Sequence, residues 1–466
     1  MICSACSGLK FAEPGERLLR RFCCPFICAY FAGVLCLGQG ELATPQTPRL
    51  TLDEAVSLAK KQNTQIQIST LDITKAIEQT NQFKTQRFPV LKVYANVGAS
   101  LTPINLTVPK GTLGNYSGTG PIPAEDATIK TPRQITGFIY GSAAQPLTQL
   151  YKIGLGLKAA RIGEQAAREK LRQQIQETTR QIKQAYYQLT QTQSQIASAE
   201  VSLKYLDELS AYTGRNLAQE TVLKSDSLSV KAKLSQARYQ LLTLRNNFDT
   251  QKEALNRLLG RDLRTGFSIQ PEPLPSHDET SLPAAQSKAL EQRPEMRQAR
   301  LQSQKAELDV RRERAEYLPD LSAQVSYFSF PNVNFFPKNI VSAGFLLEWQ
   351  PFDWGFKKHK TYELRSTSKQ AALTERDTQQ QVLLDVNASY RKLAETRALL
   401  EATAASQEAE RETLRIVLNR YKEKSALLTD VLQQQNSLAQ TDTQYQQALS
   451  GFWTAKATFD RALGEQ

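Results

Sequence analysis

A chain of 466 residues with 40% hydrophobic and 22% charged residues has the composition of a folded protein, and its length permits two or three domains. Its only histidines are His277 and His359, and its only methionines Met1 and Met296, which leaves few side chains for catalysis. The formal charge of +12 is spread among Glu and Gln, with basic residues adjacent only in short runs such as Arg311-Arg312 and Lys357-Lys358, so nucleic acid is not expected as a partner.

All six cysteines (Cys3, Cys6, Cys23, Cys24, Cys28 and Cys36) precede residue 40. The same stretch, residues 1–40, reads as an export signal. Arg17, Arg20 and Arg21 lead into an apolar run over 22–37, and Gly38-Gln39-Gly40 offers small residues for cleavage. A short membrane anchor is the alternative, but the run falls below the ~20 residues of a spanning helix. Removing the segment leaves a chain with no disulfide to form in an oxidising compartment. Lipidation at Cys36 is weakly supported, because Gly33-Val34-Leu35 lacks the Leu and the small residue wanted just before the Cys.

A first structural unit spans 41–270. After a Pro-spaced link, Thr51-Leu52-Asp53-Glu54 forms a capping box, a hydroxyl followed three places on by an acid. An amphipathic helix follows through Leu58, and a second runs from about Gln65 to Gln86. At Val90 the period changes from 3.6 to 2. Leu91, Val93, Ala95, Val97, Ala99 and Leu101 fall on one face, and Lys92, Tyr94, Asn96 and Ser100 on the other. A Gly-, Pro- and Thr-rich loop over 102–133 separates this strand from a second, Ile135 to Ala144, within a hairpin of about 88–146. Next comes a heptad hairpin, about 150–260. Its seam steps through Leu171, Ile175, Thr178, Ile182, Ala185, Leu189, Thr192, Ile196, Ala199, Leu203, Leu206 and Ser210, breaks, then resumes at Val230, Leu234, Ala237 and Leu241.

The same order then recurs. Tyr186, Leu189, Asp226, Leu234, Phe248 and Leu259-Gly260 map at an offset of 204 onto Tyr390, Leu393, Asp430, Leu438, Phe452 and Leu463-Gly464. Ahead of the strands the offset is 230, taking Ala55, Ala59, Leu71, Ala76, Pro89 and Leu91 to Ala285, Ala289, Leu301, Ala306, Pro319 and Leu321. A shorter second loop accounts for the difference. The chain is thus an internal duplication. A stiff Pro-rich linker, 271–283, joins the units, and the second (284–466) holds a hairpin of about 319–351 and a coiled-coil hairpin of about 356–464.

Four alternating strands of roughly 9–11 residues suit a tilted membrane strand. In lipid a sheet must close on itself, and four strands are too few, so a spanning chain must oligomerise. The alternative is a pair of soluble hairpins packing one face on the helices.

From residue 48 onward the chain resembles the TolC-like outer-membrane efflux protein family. The resemblance rests on the duplicated helix–hairpin–helix plan, on Arg293-Pro294-Glu295, and on the Leu-Gly pairs at 259-260 and 463-464. It also draws on Arg420-Tyr421 followed by Thr429-Asp430-Val431-Leu432. It implies a mainly α fold with a transmembrane β-barrel: duplicated long helical hairpins plus four strands per chain, a homotrimer with a twelve-strand barrel among outer-membrane lipid, and an α-helical tunnel reaching into the periplasm. It further implies a passive duct of a tripartite efflux or type I secretion system, meeting a periplasmic adaptor and an inner-membrane transporter. Members usually carry Gly in the tip turns where this chain has Glu220 and Lys424, making these the candidate adaptor contacts. A pair of acids at the periplasmic mouth is reduced here to Asp430 and Gln433, which with Asp226 are the candidate constriction.

No catalytic constellation, metal-ligand spacing or phosphate-cradling loop is present, so neither an enzymatic activity nor a cofactor is expected. Asp226 and Asp430 have a plain reading as helix N-terminal acids. The Phe328, Phe330, Phe335, Phe336 and Tyr327 group could mark a membrane interface or plug the barrel mouth. Trp349, Phe352 and Trp354 read either as a periplasmic-side girdle or as packing at a bend. From another functional class, the rival is a secreted or periplasmic coiled-coil scaffold without a pore.

Overall fold

The computed structural model describes residues 48–99, 101, 102, 104–131, 135–219, 223–270, 281–330, 337–423 and 425–465. The export signal with Cys36, the linker stretch 271–280 with His277, Glu220, Lys424, Phe335 and Phe336 lie outside the described residues.

A two-residue strand, β1 (Arg49–Leu50), leads into helix α1 (Leu52–Gln62). The capping box forms as expected: Thr51 Oγ1 accepts the Glu54 N–H at 3.3 Å and the Glu54 carboxylate accepts the Thr51 N–H at 3.0 Å. Helix α2 (Thr64–Thr85) follows, then β2 (Val90–Ala99). The stretch expected as a loop carries structure of its own: β3 (Ile104–Val108) pairs with β6 (Ala127–Thr131), and β4 (Asn115–Tyr116) with β5 (Gly120–Pro121). Its Ile, Val and Thr residues favour extended backbone, a signal the surrounding Gly and Pro obscure. Strand β7 (Ile135–Pro146) returns to the helices.

Helix α3 (Gln149–Ala218) has 70 residues, about 105 Å at 1.5 Å per residue, and α4 (Lys224–Leu259) has 36. The heptads break between them, and every seam position named above is buried or half-buried. The short β8 (Ser268–Ile269) pairs in parallel with β1. In the second unit come α5 (Leu282–Gln292), α6 (Pro294–Ala315), β9 (Asp320–Ser329), β10 (Asn339–Glu348), α7 (Phe356–Lys422) and α8 (Leu428–Leu463). Helix α5 begins inside the expected linker, since Pro283 suits a first helical turn, where its missing N–H has no partner to lose. Two strand ends fall short of expectation: Leu101 lies beyond β2 and Trp349 beyond β10.

The four long strands form one antiparallel sheet in the order β10-β9-β7-β2, joining the hairpins of both units. The main core packs α1, α3, α4 and α8 around Ile182, Tyr186, Leu189, Leu255, Leu259 and Phe452. A second cluster repeats it in α5, α7 and α8 with Ala285, Ala289, Val382, Val386 and Phe459.

Candidate functional site

The sheet register settles which strand residues share a face. Leu91 lies opposite Ala143, Ala143 opposite Val325, and Val325 opposite Ala343. One row on, Val93, Gly141, Tyr327 and Val341 align in the same way. The apolar sets expected from alternation in the four strands therefore merge into one continuous face. It is open: Leu91, Val93, Val97 and Phe345 are each about three-quarters exposed, at 76%, 75%, 77% and 76%. On the opposite face Lys92, Ser142, Ser326 and Ser342 form one polar row. Among the described residues, strands β2 and β10 each pair on one side only. A sheet with two open edges and an exposed apolar face is incomplete in water.

The aromatic groups divide on closer view. Tyr327 stands on the apolar face, while Phe328 and Phe330 stack on the other side, ring centroids 6.2 Å apart. Consecutive strand residues must separate in this way, so one expected cluster becomes two. At the strand-to-helix bend, Trp349, Phe352 and Trp354 are exposed, the last at 90%, and the Phe352 and Trp354 rings meet edge-on at 4.8 Å. Asp353 shapes this turn, its carboxylate accepting the Gly355 and Lys357 N–H groups at 3.0 and 2.9 Å, and Trp354 adopts φ 54°. His359 is exposed just beyond. Among the described residues no His, Cys, Asp and Glu group could hold a metal, and no helix is long and apolar enough to cross a membrane.

At the far end of the helices, the two hairpin tips touch. Leu209 and Val230 of the first unit pack with Leu428 of the second, flanked by Tyr205, Tyr421 and Leu432. Tyr212 meets Tyr421 edge-on at 6.3 Å. Burial, then the neighbouring Tyr421, pushes the Tyr205 phenol up to about 12, and its buried hydroxyl has no hydrogen-bond partner. Burial also raises Tyr421, with Tyr212 and Asp226 adding to the effect. Asp226 is half-buried in the first turn of α4, whereas Asp430 and Gln433 are exposed at the start of α8. The Asp430 carboxylate accepts the Leu427 N–H at 3.0 Å, half of a capping box whose other half a Leu side chain cannot supply. The structure thus gathers Asp226 and the tyrosines, and sets Asp430 and Gln433 facing solvent one turn into the neighbouring helix. The tyrosine cluster was missed in the sequence because Tyr205 and Tyr212 have no counterpart at the repeat offset, Ala409 and Ile416 standing there.

Higher up, α3, α7 and α8 enclose a groove of about 860 Å³ lined by Gln184, Gln188, Gln191, Gln444 and Gln447.

The sequence profile described as "Outer membrane efflux protein" matches residues 55–261 and 285–465. The chain belongs to this family. The first matched segment falls within 41–270 and the second within 284–466. Solved structures agree in fold. The chain resembles the Campylobacter jejuni CmeC outer membrane channel at 15% identity and TM-score 0.73, over 89% of this chain and 85% of that one. It resembles the outer membrane protein VceC of Vibrio cholerae at 17% identity and TM-score 0.72, over 89% and 96%. For the open state of the Neisseria gonorrhoeae MtrE outer membrane channel the values are 17%, 0.68, and 89% of both chains. No curated protein matches the chain. As a family member it is an outer-membrane efflux channel protein reaching into the periplasm and not an enzyme, which sets aside the pore-free scaffold.

Proposed function

We propose that three copies join β10 of one chain to β2 of the next, closing a twelve-strand barrel, and that α3, α4, α7 and α8 of each copy continue it as a periplasmic tunnel. The assembly is a passive exit duct, working with a periplasmic adaptor and an inner-membrane transporter that supply energy and substrate choice. The observation that carries this reading is the four-stranded sheet with two unpaired edges and an exposed apolar face. Its long strands have 10 to 12 residues, enough to cross the hydrocarbon at a tilt, and lipid demands that the open edges be paired. Trp349, Phe352 and Trp354 would then sit at the periplasmic interface of the membrane. The hairpin tips, where the sequence runs through Glu220 between α3 and α4 and through Lys424 between α7 and α8, are the surface offered to the adaptor.

At the tips, three copies of Asp430 and Gln433, backed by Asp226, would line the narrowest part of the tunnel and favour cations. The test is conductance of the purified protein in planar bilayers. Asp430→Asn keeps a residue able to cap α8 and removes the charge. It is expected to lower the cation-over-anion permeability ratio about fivefold, since a ring of three charges in a wet pore contributes ~1 kcal/mol. Unchanged selectivity would reject the constriction. Absence of any conductance, or release of the protein from membranes by alkaline carbonate, would reject the duct.

A further inference from the structure

The polar face of the sheet, which lines the lumen if the barrel proposed above forms, is not polar along its whole length. Rows on this face run across all four strands. Val90, Ala144, Gln324 and Gly344 form one, and Lys92, Ser142, Ser326 and Ser342 the next. The following row is Tyr94, Tyr140, Phe328 and Ile340. It contains no charge and three aromatic rings, directly above a row of one lysine and three serines. The interior of a membrane barrel is ordinarily polar, so a row of three rings and an isoleucine calls for a reason.

These rings are organised. Tyr94 and Tyr140 stack with centroids 5.9 Å apart, Tyr140 and Phe328 tilt together at 4.4 Å, and Phe328 stacks on Phe330 at 6.2 Å. Phe138, one row further, reaches Phe330 at 6.4 Å. The Gln324 side-chain amide donates to the Tyr140 hydroxyl at 3.0 Å and to Ser326 Oγ at 3.1 Å, tying the ring layer to the polar rows below. Tyr94, at the edge of the sheet, remains 52% exposed. The strip is therefore both pre-set and accessible.

We propose that the row Tyr94–Tyr140–Phe328–Ile340, repeated by three chains, forms an aromatic collar inside the barrel that the exported molecule touches in transit. It favours permeants bearing rings or apolar surface over small hydrated ions of equal charge. Because barrel strands tilt, each chain contributes a slanted segment of the collar. A hydrated ion crossing it meets ring faces and an isoleucine with only the two tyrosine hydroxyls as polar partners, whereas a ring in the permeant finds offset or edge contacts.

The experiment uses purified full-length protein in planar bilayers with two monovalent cations, benzyltrimethylammonium and tetraethylammonium, as blockers of potassium current. In the unaltered protein, benzyltrimethylammonium should give the longer block. In a Tyr94→Ser/Tyr140→Ser/Phe328→Ser variant its dwell time should fall about tenfold, the size of losing one or two aromatic contacts, with tetraethylammonium unchanged. A Tyr94→Leu/Tyr140→Leu/Phe328→Leu variant keeps an apolar row and should lose the ring preference to a similar degree. If the triple variants fail to insert, Tyr94→Ser alone, at the exposed edge, should shorten the block about threefold. Equal dwell times in variant and unaltered channels would overturn the collar while leaving the duct intact. If the unaltered protein carries no current, the barrel itself falls, and the collar with it.

Discussion

The two units of the duplication solve one packing problem with different side chains. In each, the second long helix ends in a glycine lying on the junction between the two short helices. Gly260 (φ 74°) sits over Gln62 and Asn63, and Gly464 (φ 86°) over Gln292 and Arg293. The turns are the same: Gly260 and Gly464 donate to the carbonyls of Arg257 and Arg461, and Arg261 and Glu465 to those of Asn256 and Asp460. This pair of bonds closes a helix on a left-handed residue. The junction backbones also agree, with Asn63 at φ −63°, ψ 126° and Arg293 at φ −65°, ψ 129°. The side chains do not. Asn63 caps α2 by accepting the N–H groups of Gln65 and Ile66 at 2.9 and 3.2 Å, and donates to the Leu258 carbonyl at 2.7 Å. Arg293 leaves that task to Pro294, whose nitrogen needs no acceptor, and turns its guanidinium to Asp385 at 3.0 Å and Glu295. Backbone geometry has outlasted the chemistry that holds it.

The comparison breaks hardest at the glycines. A Cβ on residue 260 would lie 2.2 Å from the Gln62 carbonyl oxygen, whereas on residue 464 the nearest atom, the Gln292 carbonyl carbon, is 2.9 Å away. Both substitutions carry the left-handed penalty of about 1–2 kcal/mol, and crowding adds more at 260. Gly260→Ala is expected to cost ~4 kcal/mol and Gly464→Ala ~2 kcal/mol, read as shifts in thermal unfolding midpoint. Equal shifts would show that the two closures have the same tolerance.

These glycines were visible in the sequence as Leu-Gly pairs at the 204 offset, and the capping box and strand alternation were legible for the same reason: each depends on spacing within a few residues. What could not be read is long-range. The Tyr186 hydroxyl lies 3.0 Å from the Leu50 carbonyl and 2.8 Å from that of Gln270, and accepts the Gln270 N–H at 3.2 Å. It thereby fastens the ends of β1 and β8, strands too short to announce themselves. Of the candidate constriction, Asp430 and Asp226 were legible as acids at a heptad break. The tyrosines beside them were not, because contact between the two tips depends on how the hairpins pack. Likewise the split of Tyr327 from Phe328 follows from alternation, but which rings then stack required the register with β7.

Tyr186 sharpens the comparison at intermediate size. Its repeat partner Tyr390 is half-buried and tilts on Phe459 at 5.9 Å, with no hydrogen bond to its hydroxyl among the described residues. Tyr186→Phe removes the hydroxyl that bridges the buried Leu50 and the Gln270 backbone and should destabilise by about 1–3 kcal/mol, while Tyr390→Phe should stay within ~0.5 kcal/mol. Denaturant unfolding of both variants measures the difference. A Tyr390 effect as large as that of Tyr186 would mean the second unit has an anchor of its own.

The smallest expected effect sits where the units meet. The Tyr205 hydroxyl is buried without a partner at the tip, so Tyr205→Phe removes a desolvated polar atom. At neutral pH it should be neutral or stabilising by up to ~1 kcal/mol. The folded tip holds the Tyr205 proton up to about 12, against 10.0 for a free tyrosine, because burial disfavours the phenolate. Stability present below pH 10 is accordingly lost as pH climbs from 10 toward 12, where the unfolded chain can ionise this group and the folded one resists. The stability advantage of Tyr205→Phe should therefore be flat below pH 10 and grow above it. Phenolate absorbance near 295 nm should show one fewer late-titrating tyrosine in the variant. A difference that does not depend on pH would place the Tyr205 ring in contact with water, and the contact between the two tips would then be looser than its packing against Leu209, Val230 and Leu428 implies.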